Sequence, residues 1–227
     1  MTATTAVRSR CPGDLVAAIR GAVAGQAGGQ QTAAAVAAQL RAQLPGPGIL
    51  SSAELAGDPG GYVCHVLHAE PGGSFSVCAL VWRPGQLTPI HDHVTWCVFG
   101  VLQGAEYEEL YALRDGGARL AEAGQSVNAA GAVSGFAPPG DIHRVRNCGD
   151  DVAVSLHVYG ADITRLGSSV RRTYDLPGGA YRLMAAPEGV VRVLVNGVET
   201  IVDGAPTDAR AGTVLRAGRD TTGTATS

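Results

Sequence analysis

Lysine is absent from this chain. All 17 basic residues are arginine, 20 acidic residues outnumber them, and the formal charge of −3 leaves no basic face for nucleic acid or an anionic membrane. No apolar run reaches spanning length, and no basic segment followed by an apolar one opens the chain. Neither membrane insertion nor a leader is therefore expected, and the expected compartment is the cytoplasm. Cysteine supplies no framework either. Cys11, Cys64, Cys78, Cys97 and Cys148 are odd in number, widely spaced and without a Cys-x-x-Cys pair, which argues against a disulfide scaffold or a zinc knuckle and for thiols in a reducing compartment.

What is present suits one ordinary domain with appendages: 227 residues, 45% of them hydrophobic, can bury a site. Thirty-two glycines and few helical segments in the middle point to a turn-rich, mainly β protein. Residues 1–12 read as a flexible tail. From Asp14 to Val23 and from Thr32 to Leu44, Ala, Leu and Val recur at helical spacing; GQAGGQQ separates the two stretches and PGPG ends the second. With a third short helix after Ser51 and Ser52, residues 13–60 are expected to be helices packed on the outside of a barrel formed by the rest of the chain.

From Tyr62 the period changes. YVCHVLHA, SFSVCALVW, WCVFGVLQG, EYEELYAL, GAVSGFAPPG and DVAVSLHVYG are strand-like, with turns at PGG, RPGQ, RDGG and NCGDD. Short strands at this spacing without intervening helices predict an antiparallel sandwich or barrel over residues 61–180. In residues 181–218, two strand-like runs flank Asn196-Gly197, a hairpin signal, and residues 219–227 read as disordered.

His91 and His93 in TPIHDHVTWCVFGVLQG are two residues apart, so on a strand they project together while Asp92 faces away. His143, in PPGDIHRVRN, comes about fifty residues later. The pattern Gly85-x5-His91-x-His93 to Gly104, then Pro138-x-Gly140-x2-His143-x3-Asn147, resembles the two cupin motifs. That resemblance implies a double-stranded β-helix, the jelly-roll barrel, with N-terminal α-helices and a C-terminal β-hairpin extension around it here. The cupin motif's usual Glu is replaced by Cys97, and its second motif's first Gly by Ala132. Three neutral imidazoles without a carboxylate suit a divalent first-row metal and leave positions open for a substrate; ligand type alone does not choose among Fe, Ni, Cu and Zn.

A second cluster lies in DVAVSLHVYG. Ser155, His157 and Tyr159 alternate with Val154, Leu156 and Val158. A buried hydroxyl or imidazole without a partner costs roughly 1–3 kcal/mol, so on an interior face these three groups need one another; on an edge strand they would only face water.

Together PIHDHVTWCVFGVLQGAEYEE, DIHRV and SLHVY resemble, in order, the first metal motif, third ligand and Ser-His-Tyr relay of the thiol dioxygenases of cysteine dioxygenase and 3-mercaptopropionate dioxygenase type. The similarity runs from about Tyr62 to Tyr174. It implies Fe(II), with Ni or another divalent first-row metal as the alternative, held by His91, His93 and His143. It also implies a small thiol and dioxygen as reactants, a sulfinate product, and Tyr159 at the reacting atoms with His157 and Ser155 behind it. In some members a cysteine is joined covalently to the relay tyrosine. Cys97 occupies a comparable slot, so either a Cys97–Tyr159 thioether or a small buried thiol is expected.

The substrate clamp departs from the family. Where members carry Arg or Gln two residues after an early Tyr, this chain has Tyr62-Val63-Cys64-His65, with His65 on the opposite strand face. Neither side chain reproduces a planar, bidentate Arg–carboxylate contact, so Arg171, Arg172 and Arg83 become the candidate cations. The C-terminal VLVNGVETIVDGAPTDARAGTVLRAG resembles the tail of D-aminoacylase-type amidohydrolases without any of their metal-binding residues, and it could pack on the barrel or pair in a homodimer. Two other readings stand beside the thiol dioxygenase acting on L-cysteine or a cysteine-like compound. One is a three-His cupin oxygenase with another metal or another sulfur-oxidation outcome; the other is a non-catalytic cupin that binds a metal or small ligand.

Overall fold

One polar and one apolar face on a single strand require that strand to sit between two different kinds of neighbour. The computed structural model describes residues 10–26, 28–114, 119–175, 182–184, 192–195, 197–202 and 205–209. In it, Ala153–Tyr159 is the central strand of a five-stranded sheet. With strands numbered in chain order, this sheet contains β1 (Val63–Ala69), β2 (Ser76–Trp82), β4 (Cys97–Gln103), β7 (Val133–Phe136) and β9 (Ala153–Tyr159), arranged β1-β2-β9-β4-β7. A six-stranded sheet contains β3 (Ile90–His93), β5 (Ala105–Arg114), β6 (Arg119–Ala129), β8 (Ile142–Asn147), β10 (Val170–Asp175) and β11 (Arg182–Met184), arranged β11-β10-β3-β8-β5-β6. Every pairing in both sheets is antiparallel. Side chains of the two sheets meet face to face, as where His93 of β3 lies against Phe136 of β7, so the protein is the mainly β antiparallel barrel that the strand pattern predicted and the jelly roll that the cupin motifs implied.

The helices explain the apolar face of β9. Helices α1 (Gly13–Ala24) and α2 (Gly29–Ala42) bury Leu15, Ile19, Val36 and Leu40 in one core with Val77, Ala79 and Val81 of β2, Val98 of β4, and Val154, Leu156 and Val158 of β9. Each large aliphatic side chain covered in this way contributes roughly 1.5–3 kcal/mol. Gly100 on β4 allows the approach: a Cβ there would lie 2.5 Å from Leu44 and 3.2 Å from Leu40. The short α3 (Ser52–Leu55) begins with a reciprocal Ser51–Glu54 capping box, and α4 (Ile163–Leu166) comes after β9.

The chain divides into two compact units, Met1–Met184 and Ala185–Ser227. The second contains a three-stranded antiparallel sheet of β12 (Arg192–Val195), β13 (Val198–Val202) and β14 (Ala205–Pro206), with Gly197 at φ +78° between its first two strands. The hairpin around Gly197 is therefore present. The expected tails at residues 1–9 and 219–227, the turn at residues 115–117, and Asn196 lie outside the described residues.

One expectation needs correction, and one strand escapes the alternation rule. Arg10 and Cys11, read as tail, are packed: the Arg10 backbone N–H donates to the Leu67 carbonyl at 2.8 Å and Cys11 is buried against α1. Strand β6 went unread because Glu122, Ala123, Gly124 and Gln125 are exposed at the sheet edge and have no apolar alternation.

Candidate metal centre

Strand β3 turns His91 and His93 to one side, and β8 brings His143 directly opposite His91. All three imidazoles are buried, and their nearest donor atoms lie within 4.8 Å of one another. Each ring is fixed from behind. His91 Nδ1 donates to the Pro89 carbonyl at 3.0 Å, His93 Nδ1 to Asp141 Oδ2 at 3.1 Å, and His143 Nδ1 to Glu108 Oε1 at 2.7 Å. Asp141 also accepts the His93 backbone N–H at 2.9 Å, and Glu108 accepts Ser126 and Asn128, each at 3.3 Å. With Nδ1 engaged as donor, each Nε2 keeps its lone pair for the interior.

Electrostatics favour the same state. Burial, then the neighbouring His143 and His93, hold His91 well below the usual imidazole pKa. Burial also lowers His93, although Asp141 opposes it. Burial raises the Asp141 and Glu108 carboxyls, but the ring N–H groups more than offset this, so both stay below the usual carboxylate range. Three neutral imidazoles oriented by fixed acceptors fit a divalent metal ion. Asp92 takes no part: Tyr174 of β10 donates to its Oδ2 at 2.9 Å.

Across from these ligands, β9 directs its polar face into the barrel. Ser155 Oγ lies 2.9 Å from His157 Nε2, and the Tyr159 hydroxyl lies 3.3 Å from His157 Nδ1, so the three groups satisfy one another. Burial lowers His157 to about 3, and burial with the nearby Cys97, Cys64 and Cys78 thiols raises Tyr159 well above the usual phenol value. Near neutral pH the relay therefore holds a neutral imidazole and a protonated phenol. Cys97 is the direct cross-strand partner of Tyr159, and its Sγ lies 3.8 Å from His157 Nδ1. Burial raises its thiol, so it remains protonated. Immediately after Tyr159, Gly160 is required by close packing: a Cβ there would fall 2.2 Å from Trp96 Nε1.

A cavity of about 210 Å³ joins the two clusters. His91, His93, His143, His157 and Tyr159 all line it, as do Tyr62 and Cys64 at the clamp position. The remaining wall is mostly apolar, with Leu80, Trp82, Phe136 and Val145, and carries hydroxyls at Thr88, Ser168 and Ser169. Tyr62 stacks on Trp82 with ring centroids 4.5 Å apart. The Cys64 thiol is lowered by its contact with Cys78, whose own proton is held more tightly.

Among the described residues no arginine lines this cavity, and the candidate cations Arg171, Arg172 and Arg83 are not in its wall. Arg172 is opposite Asp92 in the β10–β3 register, with its Nε 3.9 Å from Asp92 Oδ2; Arg171 and Arg83 are exposed. His65 is also outside the wall, its Nδ1 3.7 Å from Glu54 on the other face of β1. Among the residues that orient the two clusters, the sequence pattern does not single out Asp141, Glu108 or Trp82, whose Nε1 donates to Ser155 Oγ at 3.2 Å. The available signal was the alternation on β5, where Glu106 and Glu108 are both inward in a strand that is otherwise ordinary.

A family model described as cysteine dioxygenase type I matches residues 1–167, taking in the helices as well as the metal and relay strands. Among solved structures the chain is similar to TT1209 from Thermus thermophilus, at 21% identity over 46% of this chain and 87% of that one, with a TM-score of 0.35. It is also similar to the cupin domain of Schizosaccharomyces pombe Cnp3, at 15% identity over 47% and 65%, TM-score 0.36. A recombinant oxalate oxidase in complex with glycolate matches at 20% identity over 53% and 63%, TM-score 0.38.

Proposed function

The chain belongs to the cysteine dioxygenase type I family, and from that premise we propose that it is a non-haem iron thiol dioxygenase. Its reaction adds both atoms of dioxygen to the sulfur of a small thiol, L-cysteine or a cysteine-like compound, and yields the sulfinic acid with no other reductant. The observation that carries this reading is the three-imidazole cluster and the Tyr159 relay facing one cavity from opposite sheets.

His91, His93 and His143 would hold the ion. Bound Fe(II) supplies Lewis acidity that favours a thiolate and redox chemistry that makes dioxygen reactive. Tyr159, kept protonated by burial, presents a hydroxyl to the substrate or oxygen, while His157 and Ser155 hold that hydroxyl in place. The apolar wall excludes water from the reacting groups. For the substrate's polar end the cavity offers the Tyr62, Thr88, Ser168 and Ser169 hydroxyls and the Cys64 thiol in place of a guanidinium. The direct pairing of Cys97 with Tyr159 supports a thioether between them. Its formation removes the S–H and one ring C–H hydrogen, with dioxygen as the two-electron acceptor.

The deciding experiment loads the protein anaerobically with Fe(II), adds L-cysteine, 3-mercaptopropionate or cysteamine, and tracks oxygen uptake and product mass. Oxygen consumption matched by sulfinate is expected. Iron-loaded protein that consumes no oxygen with any small thiol would overturn the proposal. In the same preparations a peptide map should yield residues 97 and 159 in one linked species; separate, unmodified peptides would remove the thioether.

A further inference from the structure

The Ser155-His157-Tyr159 relay has a fixed end on the neighbouring strand. Trp82 on β2 is only 1% exposed, and its indole Nε1–H donates to Ser155 Oγ at 3.2 Å. The ring is held from several sides. Tyr62 stacks on it with centroids 4.5 Å apart, and Asn147 Nδ2 donates to the Trp82 carbonyl at 3.0 Å. The β2–β9 register sets Leu80 directly opposite Ser155, so the serine and the indole two residues further along β2 stay adjacent. An indole nitrogen can only donate. The other members of the relay can turn round, since a hydroxyl gives or takes a hydrogen and a neutral imidazole can exchange the roles of its two nitrogens.

We propose that Trp82 is a positioning residue: its indole N–H fixes the direction of the hydrogen bonds through Ser155 and His157, so that Tyr159 turns its phenol hydrogen toward the cavity. With the indole hydrogen on its oxygen, Ser155 has its own hydrogen left to donate. Ser155 is fully buried, and a buried hydroxyl hydrogen needs an acceptor. His157 Nε2, 2.9 Å away, is that acceptor, and a hydroxyl that accepts one hydrogen bond donates the next more strongly. The imidazole hydrogen then belongs on Nδ1, which donates to the Tyr159 oxygen at 3.3 Å. A phenol that accepts from behind keeps its own hydrogen for the substrate or oxygen in front. Cys97 Sγ, 3.8 Å from the same Nδ1, is a second and weaker acceptor, and a thioether sulfur could act in no other way. In the opposite arrangement Ser155 would accept from His157 Nε2–H, and Tyr159 would turn its hydrogen back onto Nδ1. The Glu106 carboxyl, which borders both Ser155 and Trp82, would then take the Ser155 hydrogen. Burial keeps His157 neutral down to about 3, so the two arrangements differ in tautomer and not in charge.

The tautomer itself is measurable. Full-length protein loaded with diamagnetic Zn(II) and labelled with 15N at histidine shows, by long-range 1H–15N correlation near neutral pH, which His157 nitrogen carries hydrogen. The wild-type ring should be in the Nδ1–H form. Trp82→Phe keeps an aromatic ring beneath Tyr62 but removes the N–H, so the Ser155 hydrogen can turn away and the Nε2–H form should become a major species. Where that variant fails to fold, biosynthetic replacement of Trp82 and Trp96 by the benzothiophene analogue of tryptophan keeps the bicyclic shape, puts sulfur in place of N–H, and should give the same change. A wild-type ring in the Nε2–H form overturns the proposal, and so does a tautomer that stays unchanged when the indole N–H is removed. A kinetic arm rests on the dioxygenase reading. Iron-loaded Trp82→Phe should lose about tenfold in kcat with KM for the thiol within about twofold of wild type. An unchanged kcat in a variant whose tautomer has shifted would remove Trp82 from the chemistry. A protein that oxidises no thiol defeats that reading and leaves the tautomer measurement intact.

Discussion

Glu106, buried on β5, acts on folding. Its carboxyl titrates at about 7 in the folded protein, against roughly 4.3 in an unfolded chain. A folded value above the unfolded one contributes stability that is complete below the unfolded pKa and is lost as pH rises through the folded pKa. The loss from this site is roughly 4 kcal/mol. Glu106→Gln should therefore melt well above wild type at about pH 8.5 and close to it at about pH 4; an equal offset at both pH values would contradict the assignment. Tyr159→Phe keeps the ring and loses the hydroxyl. It should retain iron and lower kcat by about 10²-fold, and an unchanged rate would remove Tyr159 from the chemistry. At the clamp position, Cys64→Arg places a guanidinium on a wall whose described residues include none. It should lower KM for a carboxylate-bearing thiol by about tenfold and leave that for cysteamine unchanged or raised, as read from paired steady-state curves.

Strands carry a different kind of information, and they differ in how readily a sequence reveals them. His91 and His93 were legible because period two on one strand needs no partner to be read, and Ser155, His157 and Tyr159 obey the same rule. Glu108 and Asp141 were not, since each has meaning only once residues 35 or 48 positions apart are brought together. The arginines failed for the same reason: the β10–β3 register that sets Arg172 against Asp92 is invisible in either segment alone. Pairing between β4 and β9 also makes Gly160 informative. A methyl group 2.2 Å from the Trp96 ring must push apart the strand ends that hold Cys97 and Tyr159. Gly160→Ala should therefore bind iron normally while its kcat falls, by up to about 10²-fold, because the displaced hydroxyl no longer meets the substrate. Iron content and turnover measured on one preparation would reveal loss of metal, the outcome that contradicts this.

At the scale of the whole molecule, every residue of the candidate site lies within Met1–Met184, and the strands of the second unit form a sheet of their own. A chain ended after Met184 should fold, retain iron and turn over at close to the full-length rate, checked by metal analysis and oxygen uptake; loss of metal would show that the second unit supports the first. Within the barrel, the three imidazoles stand on the six-stranded sheet and the tyrosine relay on the five-stranded one. Val145 of the six-stranded sheet packs with Leu80, Trp82 and Ala153 of the five-stranded one, and Asn147 Nδ2 donates to the Trp82 carbonyl at 3.0 Å between them. A lineage descended from this protein could accordingly shed either half of its chemistry alone: without the relay it would persist as a metal carrier, and without the imidazoles as an inert shell with its tyrosine still in place.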